Sequence, residues 1–293
     1  KTFDDFYNAY KAQMNDMIEL LVNADNAIDT AHAERCPLPF LSSMVDDCIK
    51  RGKSVQNGGA VYNFTGPQGF GIANMADSLY VELTNMCLVY DEKKVTIEEY
   101  KKALENNYGK PLSDKETEKI AVGILKSMAD SGIEINDEIV ARVIKEASGG
   151  GCSREDKEKY DKLLEMIDEI PKFGNDNSTV DAFARDVAYT YTRPLEKYKN
   201  PRGGQFQAGL YPVSANVPLG AQTGATPDGR FAHTPVADGV SPTAGRDVNG
   251  PTAAANSVSR LDHYIASNGT LFNMKFHPSA LAGRSGLEGF VTL

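Results

Sequence analysis

From Asn200 to Asn256 the chain is rich in Gly, Pro, Asn and Thr, and this stretch restricts the fold more than any other feature. Proline lacks the N–H that a helix interior or a central strand needs, so long regular elements are excluded there. Loops of such length inside a packed domain are more often functional than incidental. Tyr211-Pro212-Val213-Ser214-Ala215-Asn216-Val217-Pro218-Leu219-Gly220 is its most unusual run. Strand alternation over Phe206–Val217 would place Tyr211, Val213 and Ala215 on one face. Pro212 and Pro218 remove ladder donors, so we expect a strand that leaves its sheet into a ligand-facing loop. Gly269–Phe276 is the other strand candidate of this half.

The preceding residues supply scaffold. Thr2 and Asp5 have capping-box spacing. Phe3, Phe6, Tyr10, Met14, Met17 and Leu21 then follow on one helical stripe. Residues 36–57 read as a proline turn, Cys36-Pro37-Leu38-Pro39, and a short helix ending near Gly52. Gly58–Phe64 reads as a short buried strand entering Gly66-Pro67-Gln68-Gly69-Phe70-Gly71, with a helix from about Ile72 to Val89. Over residues 91–170 charge is high and Gly and Pro are few. Helix starts recur at Thr96-x-x-Glu99, Ser113-x-x-Glu116 and Asn136, Gly149–Gly151 breaks the pattern, and a charged helix spans about Arg154–Ile170. We read this as a surface helical excursion whose apolar positions are too sparse for a core of its own. Asn175–Ser178 leads into a helix with Val180, Phe183, Val187 and Tyr191 on one side.

The 293 residues are 41% hydrophobic and 24% charged, an ordinary globular balance. No apolar run approaches the roughly 18 residues of a membrane span, so no membrane association is expected. The net charge is −9, and no Lys/Arg cluster stands out, so nucleic acid is not an expected partner. Cys36, Cys48, Cys87 and Cys152 are far apart and form no C-x-x-C pair, which points to a reducing cytosol. The chain opens with Lys1-Thr2-Phe3 and stops inside the apolar run Gly289–Leu293, so we expect a fragment.

The Gly66–Gly71 loop fits neither G-x-G-x-x-G nor Walker A spacing and lacks the phosphate-pairing Lys. A backbone turn that approaches another segment closely is the favoured reading, with phosphate binding the weaker one. His32 and Glu34 form an H-x-E pair without the later P-C-x-x-C of a zinc deaminase. His233, His263 and His277 show no metal-ligand spacing, so no metal site is expected. Cys36 beside Arg35 invites a thiolate nucleophile, but with no base partner a buried small apolar residue is the favoured reading. No G-x-S-x-G elbow is present.

Several runs together resemble the glycyl radical enzymes, the pyruvate formate-lyase-like family. They include Gly58-Gly59-Ala60-Val61-Tyr62-Asn63-Phe64-Thr65-Gly66, Gly71-Ile72-Ala73-Asn74-Met75-Ala76-Asp77-Ser78-Leu79 and Lys172-Phe173-Gly174-Asn175-Asp176. Further on stand Ser214–Gly220, Thr226-Pro227-Asp228-Gly229-Arg230, Ala237-Asp238-Gly239-Val240-Ser241-Pro242 and Gly269–Phe276. The matches run in order along nearly the whole chain. The resemblance implies an α/β fold, a ten-stranded β/α barrel of the glycyl radical enzyme type. Residues 1–293 would form part of its second half, with the excursion at about 91–170 as a helical surface insertion longer than the family leads one to expect. The glycyl radical domain would not be included.

In that family a glycine near the C-terminus stores a backbone radical and passes it to a loop cysteine, whose thiyl radical abstracts hydrogen from substrate. A separate iron–sulfur, S-adenosylmethionine-dependent activating enzyme installs the radical, and no cofactor is otherwise bound. Neither a Gly-Cys-Val-Glu-like loop nor an Arg-Val-x-Gly-Tyr-like loop occurs here. Both radical carriers are therefore expected outside this chain, and no catalytic residue is assigned. The Gly-Leu-Tyr-Pro-Val-Ser-Ala-Asn-Val-Pro-Leu-Gly run is similar to the diol dehydratase, choline lyase and isethionate lyase group. That implies a C–X lyase acting on a small 1,2-substituted alcohol, with a formate C-acetyltransferase-type enzyme or a non-catalytic barrel remnant as alternatives. By the same resemblance Tyr211, Val213 and Ser214 would face substrate; Tyr211 reads equally as an ordinary core tyrosine. The implied partners are a small-molecule substrate, the activating enzyme and, at full length, a second subunit, in the cytoplasm or a bacterial microcompartment.

Overall fold

A computed structural model describes residues 2–86, 95–111, 114–130, 135–147 and 152–274. The backbone divides into two units, Lys1–Asp77 with Lys172–Asn216 and Ala237–Leu293, and Ser78–Pro171 with Val217–Val236. Helix α1, Phe3–Arg35, starts at the expected cap: Thr2 Oγ1 accepts the Asp5 N–H, and Asp5 accepts the Thr2 N–H at 2.9 Å. Its buried face differs from the expected stripe. Ile18 and Val22 are buried, whereas Met17 and Leu21 are 62% and 36% exposed. From Tyr10 and Met14 the inward positions advance in steps of four, not three, so the stripe rotates away from Met17. At its start, Phe3, Tyr7 and Tyr10 stack in sequence. Short helices α2, Pro39–Ser43, and α3, Cys48–Arg51, follow, and α3 ends at Gly52 with φ 62°, as expected.

The strand expected over Gly58–Phe64 does not form. A 3₁₀ turn, Val55–Asn57, precedes irregular backbone there, and pairing begins only at Thr65. The physical reason is that the partner segment begins at Gln205, opposite Thr65. Helix α4, Ile72–Met86, buries Ala73, Asn74, Ala76 and Asp77 near its start. Asn74 Oδ1 accepts the Ala237 N–H at 2.6 Å and Asp77 Oδ1 the Phe173 N–H at 2.8 Å. The expected end near Val89 lies outside the described residues.

Helix α5, Ile97–Glu105, carries the expected Thr96/Glu99 capping box. Helices α6, Asp114–Asp130, and α7, Asp137–Ala147, pack through Ala121, Leu125, Ile139 and Val143. Asn136 Oδ1 caps α7 by accepting the Ile139 N–H at 2.9 Å. Helix α8 is Arg154–Glu169. Ser113, Cys87 and Gly149–Gly151 lie outside the described residues. The expectation of too few apolar positions for a core is corrected here. Tyr160, Leu163, Ile167 and Ile170 form one seam and are buried with Val81, Ala103 and Tyr108, and Phe231 packs against them. The seam recurs at helical spacing amid charge, and its aromatic complement comes from loop 217–236, distant in sequence. That loop folds around Arg230, whose guanidinium is buried and donates to the carbonyls of Phe231, Thr234 and Gly224 and to Thr226 Oγ1. Burial holds its pKa below the ordinary arginine value.

Helix α9, Ser178–Leu195, is capped by Asn177, whose Oδ1 accepts from the Thr179 and Val180 N–H groups. Val180, Val187 and Tyr191 are buried as expected, and the Phe183 ring lies tilted against Tyr7 of α1 at 5.9 Å between centroids. Helices α10, Asn216–Gly220, and α11, Pro251–Ser259, complete the set among the described residues. Three extended segments run side by side in parallel: Thr65 pairs with Phe206, Gln68 with Gly209, and Leu210 with Thr270. Among the described residues these are single bridges, not long strands. Lys275 and Phe276, the end of the second expected strand, lie outside them, as does His277. No helix among the described residues is long and apolar enough to cross a membrane.

Candidate functional site

The middle segment, Phe206–Leu210, is held on both sides. On one, the Gln207 and Gly209 N–H groups donate to the carbonyls of Thr65 and Pro67 at 2.8 and 2.9 Å. On the other, Leu210 N–H donates to Gly269 C=O and Leu271 N–H to Leu210 C=O. This ladder ends at Leu210, and Tyr211 is the first residue beyond it. The backbone then turns: Ala215 N–H donates to Pro212 C=O at 2.9 Å, Val213 adopts φ 57°, and α10 begins at Asn216.

The alternation expected to align Tyr211, Val213 and Ala215 therefore fails. A left-handed Val213 in a tight turn rotates its side chain off the strand face. Val213 is 76% exposed, Ser214 is exposed, and Tyr211 is half-buried. The expectation of a segment that leaves its pairing agrees with the backbone, which does so after Leu210.

Tyr211 lies over backbone that only glycine allows. A Cβ on Gly209 would sit 2.7 Å from the Tyr211 ring, and one on Gly66 would collide with the Asn268 amide. The Gly66–Gly71 loop thus approaches another segment closely, as expected. Asn268 Nδ2 donates to Gly66 C=O and to Tyr211 Oη, each at 3.1 Å, and its backbone N–H donates to Ala208 C=O at 3.0 Å. Asn268 joins all three parallel segments, and the sequence reading missed it. Asn268-Gly269 reads locally as a turn signal, and its partners stand 57 and 202 positions away.

Behind Gly69 the Tyr191 ring is buried, and its hydroxyl has no hydrogen-bond partner among the described residues. Burial drives its pKa well above the ordinary tyrosine value, with Asp25 and Tyr211 pushing the same way. Beyond Thr270, Asp238 accepts from the Asn273 amide, and Asn273 N–H donates to Ser241 Oγ at 2.9 Å. The arrangement sets one phenol against one carboxamide, both groups able to hydrogen-bond.

Cys36 caps the C-terminus of α1 and is exposed, which corrects its reading as a buried apolar residue. It stands where α1 stops and the proline turn begins, while Cys48 is buried against Gly59. His32 and Glu34 are two positions apart on α1 and point different ways.

A family model described as pyruvate formate lyase-like matches residues 1–220, and one described as glycine radical matches residues 236–293, which corrects the expectation that no part of the glycyl radical domain is included. A solved structure described for 1,2-propanediol dehydration in Roseburia inulinivorans is 60% identical, with a TM-score of 0.85 over 100% of this chain and 34% of that one. The glycerol-bound form of the B12-independent glycerol dehydratase from Clostridium butyricum is 48% identical, with a TM-score of 0.76 over 100% of this chain and 30% of that one. The trans-4-hydroxy-L-proline dehydratase of Clostridioides difficile is 29% identical over 100% of this chain and 30% of its own length. The chain thus spans about 30% of the length of the curated relatives it matches.

Proposed function

We propose, for a chain that belongs to the pyruvate formate lyase-like family of glycyl radical enzymes, that it forms part of a radical C–X lyase of the dehydratase type. The substrate class is a small vicinal diol, such as 1,2-propanediol or glycerol. The observation that carries this reading is the 60% identity, over the whole of this chain, to the Roseburia protein described for 1,2-propanediol dehydration. The identity to the glycerol dehydratase supports the same class.

The radical supplies hydrogen abstraction from one carbon of the diol. The neighbouring hydroxyl then departs as water with the proton given up by the remaining hydroxyl, which becomes the carbonyl, and return of the hydrogen atom to the other carbon leaves an aldehyde. The part given to this chain is pocket wall. Tyr211 hydrogen-bonds a substrate hydroxyl, and Val213 and Ser214 belong to the same wall. Holding the diol so that the C–H and the departing C–O are correctly placed, with water excluded, protects a reactive species from quenching. A ten-stranded barrel would carry the three parallel segments as part of its wall. No residue described here is assigned as a radical carrier. A separate S-adenosylmethionine-dependent iron–sulfur enzyme installs the radical, the full-length enzyme is a homodimer, and it works in the cytoplasm or a microcompartment.

The test uses the full-length enzyme, activated and supplied in turn with 1,2-propanediol, glycerol, choline and isethionate. Aldehyde and water from a diol are expected, with little turnover of the other two. Tyr211→Phe should lower kcat/KM for the diol about tenfold, the worth of one hydrogen bond of about 1.4 kcal/mol. Preferred turnover of choline or isethionate would overturn the substrate class.

A further inference from the structure

The atom of the Asn268 side chain that faces Tyr211 also faces the carbonyl of Gly66, with both contacts at 3.1 Å. A backbone carbonyl is only an acceptor, so that atom must be the amide nitrogen, whose hydrogens can only be donated. The polarity of the next bond follows. Tyr211 Oη is the acceptor of Asn268, and its own proton is free to be donated elsewhere. A hydrogen bond accepted by a hydroxyl also strengthens the one it donates. The relay runs from a fixed backbone group, through a carboxamide pinned at its own N–H by Ala208 C=O, to the phenol. Gly66 and Gly209 leave room for it, since a Cβ on Gly66 would meet the amide and a Cβ on Gly209 the Tyr211 ring.

We infer that Asn268 is a positioning residue that holds Tyr211 as a hydrogen-bond donor to an oxygen of the substrate, and so selects substrates that present a hydroxyl acceptor there. This rests on the reading of Tyr211 as a substrate contact. Asn268 itself touches no reacting atom and acts through the tyrosine.

The experiment is a double-mutant cycle in the activated full-length enzyme with 1,2-propanediol, reading kcat/KM, glycyl radical content and melting temperature for each variant. Asn268→Ala is expected to lose about as much kcat/KM as Tyr211→Phe, roughly tenfold, and the double variant no more than either alone. Asn268→Asp keeps the size of the side chain but, once ionised, has no proton to donate. It accepts the phenol proton instead, so its loss should equal or exceed that of Asn268→Ala. Radical content should stay within twofold of the parent in every variant. Losses that multiply to a hundredfold in the double variant, or full activity in Asn268→Asp, overturn the inference while leaving Tyr211 as a substrate contact. Full activity in Tyr211→Phe rejects the contact itself, and the role given to Asn268 falls with it.

Discussion

Arg260 serves two carboxylates with one guanidinium, pairing with Asp176 through Nη2 and with Asp181 through Nη1. The two acids are unlike. Asp176 is held below the usual carboxylate range by hydrogen bonds from Asn256 and Arg260. Asp181 has a fully buried side chain, and burial raises it above that range against the opposing pull of Ser257 and Arg260. A carboxyl raised on folding adds stability fully below its unfolded pKa, and that contribution is lost as pH rises through the folded value. Arg260→Ala removes the charge that offsets this loss. It is expected to destabilise the fold at pH 8, where Asp181 is left as a buried charge without its partner. The deficit should shrink toward pH 5, and Asp181→Asn should recover most of it. Denaturant unfolding of the full-length protein at the two pH values is the measurement, and an equal deficit at both would refute the assignment. The same residue-scale reasoning separates Cys36 from Cys48: neighbours absent from the sequence string decide that the first is exposed and the second buried.

Among elements, helix starts were legible and pairings were not. Thr2 with Asp5, Thr96 with Glu99, and Asn136 each satisfy an orphan N–H three residues on, so four residues contain the whole cause. The parallel segments at 65–68, 206–210 and 270 meet across gaps that no local pattern spans. Hence Gly58–Phe64 was expected to pair seven residues too early, and Val213 was placed on a strand that had already turned. The candidate site followed suit: Tyr211 stood out through its prolines, whereas Asn268 had no local mark. The close packing of segments gives a prediction at this scale. A Cβ on Gly204 would overlap the backbone carbonyl of Asn63, which cannot rotate aside, whereas one on Gly203 meets open space. Gly204→Ala should destabilise by about 3 kcal/mol or more, as overpacking against fixed backbone does. Gly203→Ala, strained only by its φ of 85°, should cost about 1 kcal/mol. Comparable melting temperatures for the two variants would show that the Asn63 segment yields freely.

At the scale of the molecule, each unit has its own buried apolar residues and each leaves large ones outside, those of the first unit lying along α1 and the turns after it. Met17, Leu20, Leu21 and Ile28 are exposed along α1, and Phe40, Met44, Ile49 and Tyr62 are exposed across the turns after it. A soluble monomer rarely shows more than a few hundred Å² of contiguous apolar surface, and larger patches are covered by a partner or self-associate. At roughly 25 cal/mol per Å², each such side chain would gain about 1.5–3 kcal/mol on full burial, so the drive to cover them is substantial. The chain amounts to about 30% of its curated relatives' length, which leaves ample polypeptide in proteins of that size to provide the cover. The 293 residues by themselves are therefore expected to bind a hydrophobic dye strongly and to aggregate, and the full-length homodimer to do neither. Met17→Glu with Leu20→Glu should weaken dye binding by the isolated chain without lowering its helix content, because both side chains point away from the Ile18 and Val22 face. A monomer that melts cooperatively and leaves the dye dark would mean that these faces need no cover.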